Sequence, residues 1–384
     1  MRKIIAYIMM ILLMGTWFAA CSEDENEITG PEYDEFSLVS SRVTTPPTMD
    51  GSADALWADA RELVIADVNV PSYYAFWDGY HGDTYGVTVK SVYTDTDVYF
   101  LFQWTGDGEE SLERESSYFN SGNSVNKWMQ KPKKEPEYGV NPAYEDKFAV
   151  IWNNNNSIAN FNTQGCGVIC HGENMATNSE GEYGDTWHWK RVRTGPYNQL
   201  DDKWLTYSAE NGRKSDPKES GGYSNNKQTL EVINALGDTL EYTLPKYWIP
   251  GRTDYHWILD TEIADGTAKE IVSIDTTTWE LTDQDGNGLS PGDYSVDANL
   301  LIPSVYVSAF VGDRGDVAAY HNYSGGKWSL EIKRKLVTGN NETDIQFDDL
   351  DDEYYFSIAV FDASAIAHAT PGGMVGDTYK LIFE

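Results

Sequence analysis

The sequence predicts an all-β chain, a β-sandwich with long loop insertions and few short helices. Three observations predict it. The 384 residues include 25 Tyr, 13 Trp and 13 Phe, side chains that fit a pleated, half-buried surface. The apolar runs are short and close on Asp, Asn or Gly. Helical periodicity sustained over several turns is scarce.

Residues 53–63 read as one short helix or turn. Residues 91–93 and 98–104 (VYFLFQW) read as strands on either side of the polar turn Thr94-Asp95-Thr96-Asp97. Residues 148–152 form another apolar run, closed by four asparagines. Residues 300–310, 328–336 and 354–361 complete the strand set. No repeat of solenoid length is visible. Residues 41–384 read as one sandwich domain. Its polar stretches 106–145 and 172–228, rich in Gly, Asn and Lys, read as insertions that build sites. Residues 21–40, acidic and weakly patterned, read as a tether.

The first 20 residues have the form of an export leader: basic Met1-Arg2-Lys3, an apolar run over 4–18, then Phe18-Ala19-Ala20-Cys21. Small residues before a cysteine resemble a bacterial lipoprotein signal, with Cys21 as the lipidated first residue of the mature chain. A simple secretory signal is the alternative. Ser22-Glu23-Asp24-Glu25 follows, and resembles the surface-export signal of Bacteroidetes lipoproteins; a solvated acidic tether is the alternative. The expectation is an outer-membrane lipoprotein on the periplasmic or cell-surface side, touching the membrane through a lipid on Cys21. Formal net charge is −33, and removing Arg2 and Lys3 leaves 26 basic against 61 acidic residues, or −35. Such acidity argues against nucleic acid and against anionic headgroups as partners.

The heptapeptide 165–171, Gly-Cys-Gly-Val-Ile-Cys-His, holds the other two cysteines, Cys166 and Cys170, followed directly by His171. Two thiols ending in Cys-His are how a chain holds haem covalently: the thiols add to the vinyl groups and the imidazole reaches the iron. The usual spacing has two residues between the cysteines, and here there are three. A small-loop disulfide and a zinc site with His171 are the competing readings. For the second axial position the first candidate is His188, flanked by Trp187 and Trp189, which are expected to wall the porphyrin. Met175 is the second candidate, with Lys190 and His368 behind it. Asp283-Gln284-Asp285-Gly286-Asn287-Gly288 matches the first half of a calcium loop, so calcium at Asp283, Asp285 and Asn287 is a further expectation; its twelfth position is Tyr294 rather than Glu. No Gly-x-Ser-x-Gly, Walker or His-Glu-x-x-His motif occurs.

Residues 47–57 (PTMDGSADALW), then 92–100, resemble the opening of carbohydrate-binding and DOMON-like sandwich domains. Residues 145–151, 165–171, 185–190 (DTWHWK), 328–334 (WSLEIKR) and 356–362 carry the likeness on. Together they resemble the haem-binding domain of the ethylbenzene-dehydrogenase-related group, kin to the haem subunits of some molybdenum enzymes of the dimethyl sulfoxide reductase family. In those relatives the haem is b-type and held by Met and Lys; this chain has cysteines instead, so those ligands do not carry over. The resemblance implies a haem protein on a sandwich scaffold. The combined expectation is a lipid-anchored c-type cytochrome passing electrons to a redox partner at the cell envelope, an electron carrier rather than an enzyme. A surface glycan-binding module and a haem-based sensor are the alternatives.

Overall fold

The computed structural model describes residues 33–69, 85–106, 114–123, 127–131, 144–169, 175–295, 300–365, 368–372 and 377–384. The chain divides into Met1–Tyr33 and Asp34–Glu384, and every element described below lies in the second unit. It is built almost wholly of strands, as the sequence predicts.

Thirteen of the described strands form one sheet. They are β1 (Ser37–Arg42), β2 (Glu62–Asn69), β3 (Tyr85–Tyr93), β4 (Asp97–Thr105), β5 (Lys147–Asn153), β6 (Tyr183–Lys190), β7 (Asp201–Thr206), β8 (Arg213–Ser215), β9 (Ala318–Ser324), β10 (Lys327–Lys335), β11 (Tyr354–Phe361), β12 (Thr370–Pro371) and β13 (Tyr379–Phe383). The order is β8-β7-β6-β5-β11-β13-β1-β3-β4-β10-β9, with β2 on β3 and β12 on β2. Pairing is antiparallel except for β1, which runs parallel to both β13 and β3.

The sheet curls so that its β3-β4-β10 half covers its β5-β6-β11 half. The Phe102 and Trp104 rings of β4 each lie 4.8 Å from Phe148 of β5, and Phe100 lies 5.8 Å from Trp187 of β6. These side chains belong to one buried cluster that runs through both halves. Burying aromatics in an interior of this density is the main source of the fold's stability. The far edges also meet: Leu200 N–H donates to Val317 at 3.1 Å and Ala319 N–H donates to Asn198 at 2.8 Å.

The opening motif is tied to this body by one carboxylate. Buried Glu331 of β10 accepts from the backbone N–H of Asp50 (3.0 Å) and Gly51 (2.8 Å) and from Trp57 Nε1 (2.8 Å). Gly51 has φ +83°, and a Cβ there would stand 2.5 Å from the His321 carbonyl carbon, so a side chain is excluded on both counts. Glu331→Ala leaves three donors without their acceptor. It is expected to lower stability by about 3 kcal/mol, read from the midpoint of a urea transition.

Three sequence expectations change. The tether was expected to run to residue 40, but Ser37–Arg42 is a strand inside the sheet, and its first four residues are buried. The stretch 172–228 is not a loop insertion, because β6, β7 and β8 within it are integral to the main sheet. The larger excursion lies between β8 and β9, where short strands such as Gln228–Ile233, Thr239–Leu244 and Lys269–Ile274 gather around Leu244, Trp248, Ile271 and Leu281. The one short helix or turn read over 53–63 is there as a single helical turn, but with narrower bounds, Leu56–Asp59, and Leu63 already belongs to β2.

Candidate functional site

The two faces of β6 differ in kind. Trp187 and Trp189 are fully buried in the core between the two halves. The pleat therefore turns Thr186 and His188 to the opposite face. Strands β5 and β11 repeat the division, with Val150 and Ile358 in the core cluster and Ala149, Ile151, Ala359 and Phe361 beyond it. Pairing sets the outer residues side by side. Ala359 lies opposite Ala149, and Ala149 opposite His188; in the next row Ile151 lies opposite Thr186, and Thr186 opposite Lys203. Two alanines in the row that runs to His188 and on to Asp201 leave that part of the floor low.

A short segment roofs one end of this floor. The helical turn Phe161–Gln164 passes into the tight turn Gly165–Val168, and Gly165 makes the change of direction with φ +62°. Ile158, Phe161, Cys166 and Ile169 pack on Ile151 and Leu205, which fixes Cys166 over the sheet. The Ser357 hydroxyl lies 3.6 Å from Cys166 Sγ. Between roof and floor is a cleft bounded by Cys166, Met175, His188, Lys203, Arg213 and His368. Four residues singled out in the sequence, Cys166, Met175, His188 and His368, thus meet at one place.

His188 stands out electrostatically. Its Nε2 is buried and has no hydrogen-bond partner. Burial, reinforced by the charges of Lys190 and Lys147, holds its pKa well below the ordinary histidine value. A neutral imidazole with an unengaged ring nitrogen is the state in which histidine binds metal ions. Phe361 packs on both imidazoles, 5.4 Å from His188 and 4.8 Å from His368 between ring centres. The Lys147 ammonium sits over the same phenyl ring, 4.2 Å from its centre.

Several expectations are corrected here. Trp187 and Trp189 do not wall the cleft; they alternate with His188 and face the core. Lys190 is no axial candidate, since its buried ammonium is paired with Asp201. The calcium expectation also meets a different arrangement. Asp283 accepts from the N–H groups of Asp285 (3.0 Å) and Asn287 (2.8 Å), from the Asn287 amide and from Trp248 Nε1, while Asp285 pairs with Lys269 at 2.5 Å. Those bonds close a hairpin turn. Cys170 and His171, with Cys21 and the leader, lie outside the described residues.

Sequence reading missed Lys203 and Arg213 as the cleft's cations, Phe361 as the shared platform, and the alanine floor. Nothing in their spacing marks them, because pairing between distant strands assembles them. It also missed a contrast within β7. Asp201, though buried, is held far below the ordinary range by Lys190, Lys203 and Arg314. Its neighbour Asp202 projects to the other face, and there burial and the charge of Asp185 push it well above that range. Burial likewise pushes Asp216 up to about 8 and Asp185 to about 7.

A family described as Ethylbenzene dehydrogenase matches residues 54–371. No curated protein matches the chain. Among solved structures, a family 9 carbohydrate-binding module of Caldicellulosiruptor kristjanssonii in complex with cellotriose is similar at 8% identity and a TM-score of 0.31, with 91% of this chain and 94% of that chain covered. A protein of Bacteroides uniformis described as carbohydrate-binding is similar at 8% identity and a TM-score of 0.33, covering 91% and 99%.

Proposed function

We propose that this chain, which belongs to the ethylbenzene dehydrogenase family, is a haem-binding electron carrier whose cofactor occupies the cleft of Cys166, Met175, His188 and His368. The observation that carries the reading is the buried, unpartnered Nε2 of His188 in the same cleft as Cys166. A buried polar atom without a partner is unfavourable unless a ligand engages it. When bound, haem supplies a one-electron iron couple.

The chain's residues divide the remaining tasks. Cys166, with Cys170, would form the thioether links, and His171 would take the near side of the iron. His188 would be the first choice as a further iron ligand, with Met175 and His368 as the other donors at hand. Ala149 and Ala359 leave room for a flat ring, and Ile151, Leu205 and Phe361 keep water from it. Lys203 and Arg213 offer positive charge to the propionates. The wider setting belongs to the same proposal: a lipid on Cys21, a place at the outer membrane, a redox partner protein and no catalysis by the chain itself.

Glycan capture is the second reading, and it asks for exposed rings on which sugars stack. Among the described residues Tyr207 is an exposed aromatic, whereas the described tryptophans are buried or half-buried. Co-expression of the full chain with a cytochrome c maturation system separates the readings. Haem that stays on the protein after denaturation is expected. Colourless protein with a Cys166–Cys170 disulfide would sink the haem reading and favour glycan capture.

A further inference from the structure

On the face of β6 and β7 opposite the cleft, Asp202, Asp216 and Asp344 bring carboxylate oxygens within 4.8 Å of one another. Asp202 is 0% exposed, Asp216 4% and Asp344 3%. They come from separate stretches of chain: Asp202 lies in β7, Asp216 just after β8, and Asp344 in the connection between β10 and β11. Asp185 of β6, also buried, joins them through Arg334. That guanidinium arrives from β10 on the facing half and lies 3.4 Å from Asp344 and 3.6 Å from Asp185.

One guanidinium stands against four buried carboxylates. Charges removed from water in that proportion are not sustained without further neutralisation. Asp202 Oδ2 and Asp216 Oδ1 are buried without a hydrogen-bond partner. The other oxygen of Asp202 accepts from the Lys203 N–H at 2.9 Å, which fixes the carboxylate's direction.

We propose that Asp202, Asp216 and Asp344 hold a divalent cation, calcium foremost. The donors are all carboxylate oxygens, with neither imidazole nor thiolate in the cluster, which selects hard ions over zinc or copper. Calcium accepts several protein carboxylates directly, whereas magnesium retains most of its water. A divalent ion would offset most of the charge that the cluster carries when ionised. It would cross-link β7, the exit of β8 and the connection between β10 and β11, pinning one end of the sandwich. The same β7 carries Lys203 and Leu205 on its cleft side, so the ion would also hold a wall of the cleft in place.

The test uses the full chain stripped with EDTA. Calcium is expected to bind near one equivalent by titration calorimetry and to raise the melting midpoint by roughly 4 °C or more at saturation. Asp202→Asn and Asp216→Asn should abolish that shift while melting no lower than wild type in EDTA, since each relieves repulsion. No shift with calcium, magnesium or manganese overturns the site. So does a shift undiminished in both variants, which would place binding elsewhere on the acidic surface. If neither variant folds, terbium decides. Trp187 Nε1 lies 3.1 Å from Asp185, close enough to sensitise a bound lanthanide. Emission displaced by calcium supports the site, and its absence overturns it.

Discussion

Replacing His188 with alanine is expected to convert the haem-loaded protein from six-coordinate to ligand-accepting, so that carbon monoxide shifts the reduced spectrum of the variant and not of wild type. The argument rests on the environment of one nitrogen. Burial and nearby cations keep the imidazole neutral, and its Nε2 meets no protein partner. Removing the ring therefore removes no protein hydrogen bond at that atom, and stability of the haem-free chain should change by less than about 1 kcal/mol. Retention of non-covalently added haem should fall at least about tenfold. A variant spectrum unresponsive to carbon monoxide, with wild type equally unresponsive, would pass the axial role to Met175 or His368.

The neighbouring residue should behave in the opposite way. Trp187→Ala removes a fully buried indole that packs 5.2 Å from Trp152 and 5.8 Å from Phe100 and under the Arg334 guanidinium. The expected loss is about 3–5 kcal/mol, measured by chemical denaturation. The folded fraction should keep the wild-type haem spectrum, because the indole stands on the core side of the sheet. A changed spectrum in folded Trp187→Ala protein would show that the indole touches the cofactor after all. The two substitutions, one residue apart, thus separate cofactor binding from stability.

The alternation that decides this was present in the sequence. Thr186-Trp187-His188-Trp189 is a period-2 pattern, yet aromatics beside a histidine drew attention as a pocket wall rather than as a strand's inner face. β4, β5 and β11 were legible from runs of apolar residues, and β10 from its apolar–polar alternation, because both β propensity and burial act there. β1 was not, since four of the six residues in Ser37-Leu-Val-Ser-Ser-Arg are polar and its place between β13 and β3 comes from parallel pairing with distant partners. Cys166, Met175, His188 and His368 could be picked singly from their chemistry. That they share a cleft depends on register across β11, β5, β6 and β7, which local sequence does not encode. The same holds for the four aspartates around Arg334, whose spacings follow no motif.

The position of the cleft has a consequence for assembly. Its floor is the outer surface of a sheet whose inner surface is already filled by Trp152, Trp187, Phe148 and Phe356. The hydrophobic core is complete without any guest, unlike folds that condense around a prosthetic group. Folding and ligand loading are therefore separable events in time. On the proposed reading, an empty chain can reach its final architecture first and be furnished later, the body staying intact in either state.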